Sequence, residues 1–156
     1  MSRAFTREDD SEGAIADIGE RPVSTHRNLV TASGLGQIDY AMNELRKDLA
    51  KAEADADRER IARVSRDLRY WSARRESAEL SEPEPGSDVV RFGMTVTIED
   101  EDGKRKAWKI VGEDEADAAK GSVSHVSPMA LALFGKAIGE AGIVNGKEWE
   151  IVKLEV

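Results

Sequence analysis

Residues 90–128 read VRFGMTVTIEDEDGKRKAWKIVGEDEADAAKGSVSHVSP. Met94, Val96 and Ile98 alternate with Thr95, Thr97 and Glu99, the period-two pattern of a half-buried strand. Asp102-Gly103 supplies a hairpin turn. Residues 104–111 return, with Ala107, Trp108, Ile110 and Val111 as their apolar content. An acidic run, IVGEDEAD at 110–117, comes next. Ser127 suits a helix N-cap and Pro128 the first helical position. A short helix is expected through Met129, Leu131, Leu133 and Phe134, stopping at Gly135. Asn145-Gly146 marks a second hairpin turn, joining 142–144 to 148–156. Trp108, Phe134 and Trp149 are the expected core aromatics, each contributing ~1.5–3 kcal/mol on burial. Residues 89–156 thus read as a small β-rich domain.

Upstream the chain is of different material. Over 31–80 the only glycines are Gly34 and Gly36, and there is no proline. Leu35, Ile38, Met42, Leu45, Leu49 and Ala52 fall at heptad spacing. A second seam runs Ile61, Val64, Leu68, Trp71, with Ala78 beyond. Continuing the first seam would require apolar groups near positions 59 and 63, which are Glu59 and Arg63. Two helices folding back at 53–57 keep both seams facing each other, so an antiparallel helical hairpin is expected. A single long helix paired in a dimer is the alternative, because AEADAD at the turn has neither Gly nor Pro. Residues 33–57 hold 3 basic and 6 acidic groups, whereas 58–75 hold seven arginines against Glu59 and Asp67. Cross-helix pairing follows, at only ~0.2–1 kcal/mol per exposed pair. Thr31 or Ser33 can cap the first helix, and Asp55 or Asp57 the second. SEPEPGSD, 81–88, reads as a linker, since Pro83, Pro85 and Gly86 cannot continue a helix.

Residues 1–30 are polar and aperiodic and read as a disordered tail, with too little apolar surface to offset chain entropy. The whole chain of 156 residues has net charge −8, spread unevenly: −2 over 1–30, zero over 31–80 and −6 over 81–156. An acidic body argues against tight nonspecific binding to duplex DNA. No cysteine is present, which excludes disulfides and thiolate metal sites. No apolar run suggests a signal peptide or a membrane span. A cytoplasmic monomer is the expectation. His26 and His125 are too isolated for a metal site or a nucleophile relay.

The order and spacing of these features carry a resemblance. RFG before a strand, a DG turn, IVGEDEAD, Ser-Pro at a helix start and a closing strand pair resemble the C-terminal domain of the Gre family of bacterial transcription elongation factors. Asn28-Leu29-Val30-Thr31 followed by Gly34 is similar to the family's entry into its first helix. Arg66-Asp67-Leu68-Arg69-Tyr70 resembles its second. The resemblance implies an α+β fold: an N-terminal antiparallel coiled-coil hairpin over 31–80 and a C-terminal FKBP-like antiparallel sheet domain with one short helix over 89–156.

It also implies a partner, RNA polymerase core. The family's C-terminal domain docks on the rim of the secondary channel, against the coiled coil of the largest subunit. The matching contact residues are Ser124, Val126, Ser127, Pro128 and Met129. The family usually has Asp or Asn where this chain has Val126. Ser127-Pro128 is equally readable as a plain helix cap. The family contacts RNA through a basic patch on its coil, matched here by Arg63, Arg66, Tyr70 and Arg74. A solvated, salt-bridged helix face is the other reading.

The family's catalytic signature, GDxxENAxY at the coil tip, is absent. In the family those carboxylates hold a second Mg²⁺ in the polymerase active centre and help activate the water that cleaves backtracked RNA. Glu53, Asp55, Asp57 and Glu59 are what remains at the fold-back. They are either a substitute acidic tip or caps and helix-dipole partners. The first helix, at ~20 residues, spans ~30 Å, about two turns or more short of the family's coil. The acidic run at 110–117 lacks EF-hand spacing and by itself reads as a solvated loop; the resemblance makes it a structural loop of the family, not a metal site.

The expected function is therefore a polymerase-binding elongation factor acting on paused or backtracked complexes. It is not an enzyme itself and at most stimulates the polymerase's own cleavage. No cofactor is tightly bound, and any Mg²⁺ is shared with the polymerase. Two alternatives stand beside this reading: a channel-binding regulator that competes with true cleavage factors, and a helical-hairpin interaction module unrelated to polymerase.

Overall fold

The structure, a computed structural model, describes residues 18–156. Strand β1 is Leu29–Val30, helix α1 Ala32–Ala54, helix α2 Arg58–Ser77 and strand β2 Glu79–Leu80. Strands β3 (Thr95–Glu99) and β4 (Arg105–Val111) follow, then a 3₁₀ turn at Ala118–Lys120 and β5 (Ser122–Ser124). Helix α3 (Pro128–Leu133) leads to β6 (Ala141–Val144) and β7 (Lys147–Glu155). The chain divides into two compact units. One holds Ile38–Ser77 with the described residues up to Thr25; the other holds His26–Gln37 and Ala78–Val156.

The first unit is the helical hairpin. Ile38, Met42 and Ala52 are buried on α1 and Leu45 and Leu49 half-buried, the expected seam. Val64 is buried on α2, flanked by half-buried Ile61, Leu68 and Trp71. The reversal is a tight turn with Ala56 at φ 50°, a left-handed conformation that costs a residue with a Cβ ~1–2 kcal/mol. Asp57, rather than Asp55, caps α2: its Oδ1 accepts the Arg60 N–H at 3.2 Å. Arg75 donates to Asp39 at 2.8 Å, and Arg60 pairs with Asp48, both across the hairpin. The opposite charges of the two helices are thus used as cross-links.

The disordered tail expected over 1–30 needs correction where the structure describes it; residues 1–17 of that expectation lie outside the described residues. Glu20 and Arg21 lie against α2, and residues 29–30 form a strand. Periodicity could not reveal this, because a two-residue strand and a strap held by polar contacts carry no repeat.

The second unit has a five-stranded sheet in the order β5-β4-β3-β7-β6. Its ladders are antiparallel except β4–β5, which is parallel. The sheet is therefore mixed, not antiparallel as expected. The segment 112–121 crosses over and returns in the same direction, which a tight hairpin cannot do. Val90, Phe92, Val96, Ile98, Ile110, Ala130, Leu133, Trp149 and Ile151 form the core. Of the three expected aromatics Trp149 is buried, while Trp108 and Phe134 are half-buried against its edge. Asn145 (φ 52°) and Gly146 (φ 75°) turn β6 into β7. Two successive positive φ values are the signature of a type I′ hairpin turn.

In this same unit β1 pairs with β2 in parallel, Leu29 opposite Glu79 and Val30 opposite Leu80. Arg27 reinforces the pair through its Nη2 bond to Glu79 at 3.1 Å. That bond holds the Glu79 carboxyl below its usual range and the guanidinium above its own.

Candidate functional site

Three groups of residues carry the expected chemistry, and the structure treats them differently. The docking candidates come together. His125 N–H donates to the Val111 carbonyl at 2.9 Å, anchoring the loop after β5 to the end of β4. Ser124 Oγ accepts the Val126 N–H at 3.2 Å, and the Ser127 N–H donates to the Ser124 carbonyl at 3.0 Å. Ser127 Oγ then accepts the Ala130 N–H at 3.2 Å, with Pro128 in the first turn of α3. Pro128 is exposed; Val126 and Met129 are half-buried, Met129 against the core. The Ser-Pro pair thus serves as a helix cap and still lies on the surface at one loop–helix junction.

The four tip carboxylates, Glu53, Asp55, Asp57 and Glu59, are all exposed and sit at the hairpin turn. Asp57 is engaged as the α2 cap. Among the described residues no group of three or more His, Asp or Glu converges to hold a metal ion. Oxygen donors are the right type for Mg²⁺, which commonly takes one or two carboxylates and completes its shell with water and phosphate.

The RNA candidates separate. Arg63 is exposed. Arg66 donates to Asp67 Oδ1 at 3.2 Å through both Nε and Nη2. Tyr70 packs edge-on to Trp71, with ring centroids 5.2 Å apart, and carries the Arg21 guanidinium 3.9 Å from its own centroid. Arg74 is 1% exposed, so it leaves the set: a guanidinium held inside cannot neutralise a backbone phosphate. It lies three residues past Trp71 and four before Ala78, on the hairpin's apolar stripe.

Two features escaped the sequence. Glu115 is the hub of the acidic run. Its Oε2 accepts the N–H groups of Thr31 (3.0 Å) and Gly112 (3.2 Å), and its Oε1 accepts the Thr31 hydroxyl at 2.5 Å. Thr31 Oγ1 in turn accepts the Gly34 N–H at 3.0 Å, capping α1. Nothing in the spacing distinguishes Glu115 from Glu113, Asp114 or Asp117. Asp117 has its own task, capping the 3₁₀ turn through the Ala119 N–H. The second feature is Asp100, two residues before the Asp102-Gly103 turn. It is 6% exposed, accepts the Asp102 and Lys104 N–H groups and pairs with Lys147 at 2.8 Å. No described helix is long and apolar enough to cross a membrane.

Comparison with known proteins adds the following. The family model described as transcription elongation factor, GreA/GreB, C-terminal, matches residues 84–156. The transcription elongation factor GreA of Bradyrhizobium diazoefficiens is 43% identical over 111 residues, covering 68% of this chain and 67% of that protein. GreA of Nitratidesulfovibrio vulgaris is 39% identical over 116 residues, 71% of each. GreA of Rhodopseudomonas palustris is 52% identical over 73 residues, so the match spans 46% of that protein's length. Among solved structures, the GreA factor homolog 1 (Gfh1) of Thermus thermophilus aligns with a TM-score of 0.42 at 19% identity, over 84% of this chain and 100% of that one.

Proposed function

The chain belongs to the GreA/GreB family of transcription elongation factors, and on that premise we propose that it docks on RNA polymerase core at the rim of the secondary channel and modulates elongation of paused or backtracked complexes. The observation that carries the proposal is the loop–helix junction at 124–129. It presents Ser124, Val126, Ser127, Pro128 and Met129 as one preformed surface, held by backbone bonds from Ser127 and His125. A preformed loop loses little conformational freedom on docking. The partner is the coiled coil of the largest subunit. The protein acts as a monomer in the cytoplasm, where the polymerase works.

The hairpin enters the channel tip first. Arg63, Arg66 and Tyr70 on α2 face the nascent RNA. Glu53, Asp55 and Glu59, exposed and apart from the capping Asp57, are the oxygen donors that would hold a Mg²⁺ shared with the polymerase active centre. Such an ion would activate water for transcript cleavage by the polymerase, so the protein is not an enzyme itself. A second reading is favoured by one observation: Asp57, the residue immediately before α2, has its Oδ1 occupied as a cap. The protein then occupies the channel without stimulating cleavage and competes with true cleavage factors.

Capture of purified core polymerase by the immobilised protein tests the docking; no retention at micromolar concentration would refute both readings. A cleavage assay on backtracked complexes then separates them. RNA shortening that is lost in Glu53→Ala/Asp55→Ala supports the cleavage reading. Docking without shortening, together with inhibition of a cleavage-competent factor, supports the competitor.

A further inference from the structure

Helix α2 carries an aromatic and basic face that is already occupied within its own unit. The Glu20 carboxylate receives three hydrogen bonds from Arg69: Nε to Oε2 at 2.9 Å and to Oε1 at 3.1 Å, and Nη2 to Oε1 at 2.6 Å. Next to it the Arg21 guanidinium stacks over Tyr70 at 3.9 Å and lies 5.8 Å from the Trp71 centroid. Arg21 Nη1 is also 3.6 Å from Asp67 Oδ1.

These are the two contacts that a nucleotide would make at the same place. A carboxylate clasped by an arginine fork stands where a phosphate would be held. A planar cation lies flat on the ring where a base would stack. The ion pair of the strap is exposed enough to be displaced. The Arg69 and Glu20 side chains are 56% and 64% exposed, and exposed ion pairs are individually weak. The strap is nonetheless covalently tethered, so its local concentration is of millimolar order for a short connection. Weak contacts at such a concentration suppress a weak ligand without blocking a strong one.

We propose that residues 18–25 are a built-in competitor for single-stranded RNA at Arg69 and Tyr70 of α2, holding those side chains covered until RNA displaces the strap. The inference rests on the reading of α2 as an RNA-facing surface and adds the element that gates it. It requires no polymerase, so its test is independent of docking.

The test is fluorescence anisotropy of a labelled single-stranded oligouridine at low salt, using the full chain. Three proteins are compared: wild type, the strap-releasing Glu20→Ala/Arg21→Ala, and the same double variant with Tyr70→Ala. Circular dichroism confirms that each retains its helices. A single Glu20→Ala, which frees Arg69 and leaves Arg21 in place, serves as a second route to release should the double variant fail to fold. The expected result is binding about tenfold tighter in the released protein, lost again with Tyr70→Ala. Equal binding by wild type and released protein would overturn the gate and leave the RNA face standing. No binding by either would overturn both the gate and the RNA-facing reading, while polymerase capture would still report docking separately.

Discussion

Glu115 binds Thr31 twice: one carboxylate oxygen accepts the Thr31 backbone N–H at 3.0 Å and the other its hydroxyl at 2.5 Å. Thr31 is 8% exposed, so both donors have little recourse to water. One residue of the acidic run thereby fastens the start of α1 to the loop that follows β4. Removing the carboxylate leaves a buried N–H without its acceptor, a penalty of ~1–3 kcal/mol. Glu115→Ala is expected to lower the unfolding free energy by about 2 kcal/mol in urea. Glu115→Gln, which keeps one acceptor oxygen for Thr31, should cost visibly less. Equal effects would show that the acceptor oxygen is not what holds Thr31.

The same clamp sets Gly34 apart from Gly36. A Cβ there would meet Glu115 Oε2 at 2.1 Å, whereas a Cβ at Gly36 would meet nothing within 4 Å. Both glycines lie in α1, where alanine is intrinsically better by ~1 kcal/mol. Gly36→Ala should stabilise by about that amount. Gly34→Ala should instead destabilise, because Glu115 must withdraw from Thr31 to make room. Paired denaturation midpoints check the opposite signs; stabilisation by both substitutions would show that the clamp gives way freely.

Asp100 links stability to pH. The ammonium of Lys147, with the N–H groups of Lys104 and Asp102, holds the Asp100 carboxyl below its ordinary value of 3.8. A depressed folded-state pKa means that the stabilisation is complete above about 3.8 and lost as pH falls through the lower folded-state value. Lys147 is held above 10.5 by Asp100, so its share is complete below that value and lost as pH rises through the raised one. Asp100→Asn should therefore be less stable than wild type near neutral pH, with the difference shrinking towards zero in strong acid. Denaturant midpoints across the acid range measure it. A difference independent of pH would attribute the loss to packing alone.

Ser127 combines a cap with a proposed contact, and the two can be separated. Ser127→Ala should cost ~1 kcal/mol of stability, whereas Ser127→Asp keeps a capping oxygen and most of that stability. If the hydroxyl also meets the polymerase, both variants lose affinity in the capture assay although only one loses stability. Full binding by Ser127→Asp would limit the residue to its capping role.

The type I′ turn offers a local check. Gly146 sits at φ 75°, where any residue with a Cβ is strained by ~1–2 kcal/mol. Gly146→Val should lower the thermal midpoint, while Gly103→Asn at the other hairpin, also at positive φ (80°), should be better tolerated, because Asn visits this region readily. Comparable losses at both positions would refute the assignment.

Much of this architecture is legible along the chain because it rests on local rules. Ile38, Met42 and Ala52 announce the α1 seam by their spacing, Asn145-Gly146 announces its turn, and Ser127-Pro128 its helix start. These are properties of neighbours within a few residues, and a period or a dipeptide encodes them. The parallel seating of β5 beside β4 is not of that kind. It depends on where a crossover returns, and residues 122–124 have no pattern that states a direction.

The site divides along the same line. The proposed docking residues Ser124, Val126, Ser127, Pro128 and Met129 lie within one short stretch, so a resemblance carried by local sequence was enough to single them out together. Arg74 was misplaced because its charge argued for solvent while its position on the stripe of Trp71 and Ala78 carried it inside. The strap of Glu20 and Arg21 on Arg69 and Tyr70, and the grip of Glu115 on Thr31, join residues about fifty and eighty positions apart. Such pairings leave no periodic trace, since any of several carboxylates has the chemistry to make them. Composition and spacing were sufficient for the hairpin and most of the longer elements, and the resemblance of the ordered motifs for the family. Which carboxylate clamps, which arginine is buried and which face is covered were settled only by the packing of distant segments, because only there do otherwise equivalent charges acquire different neighbours.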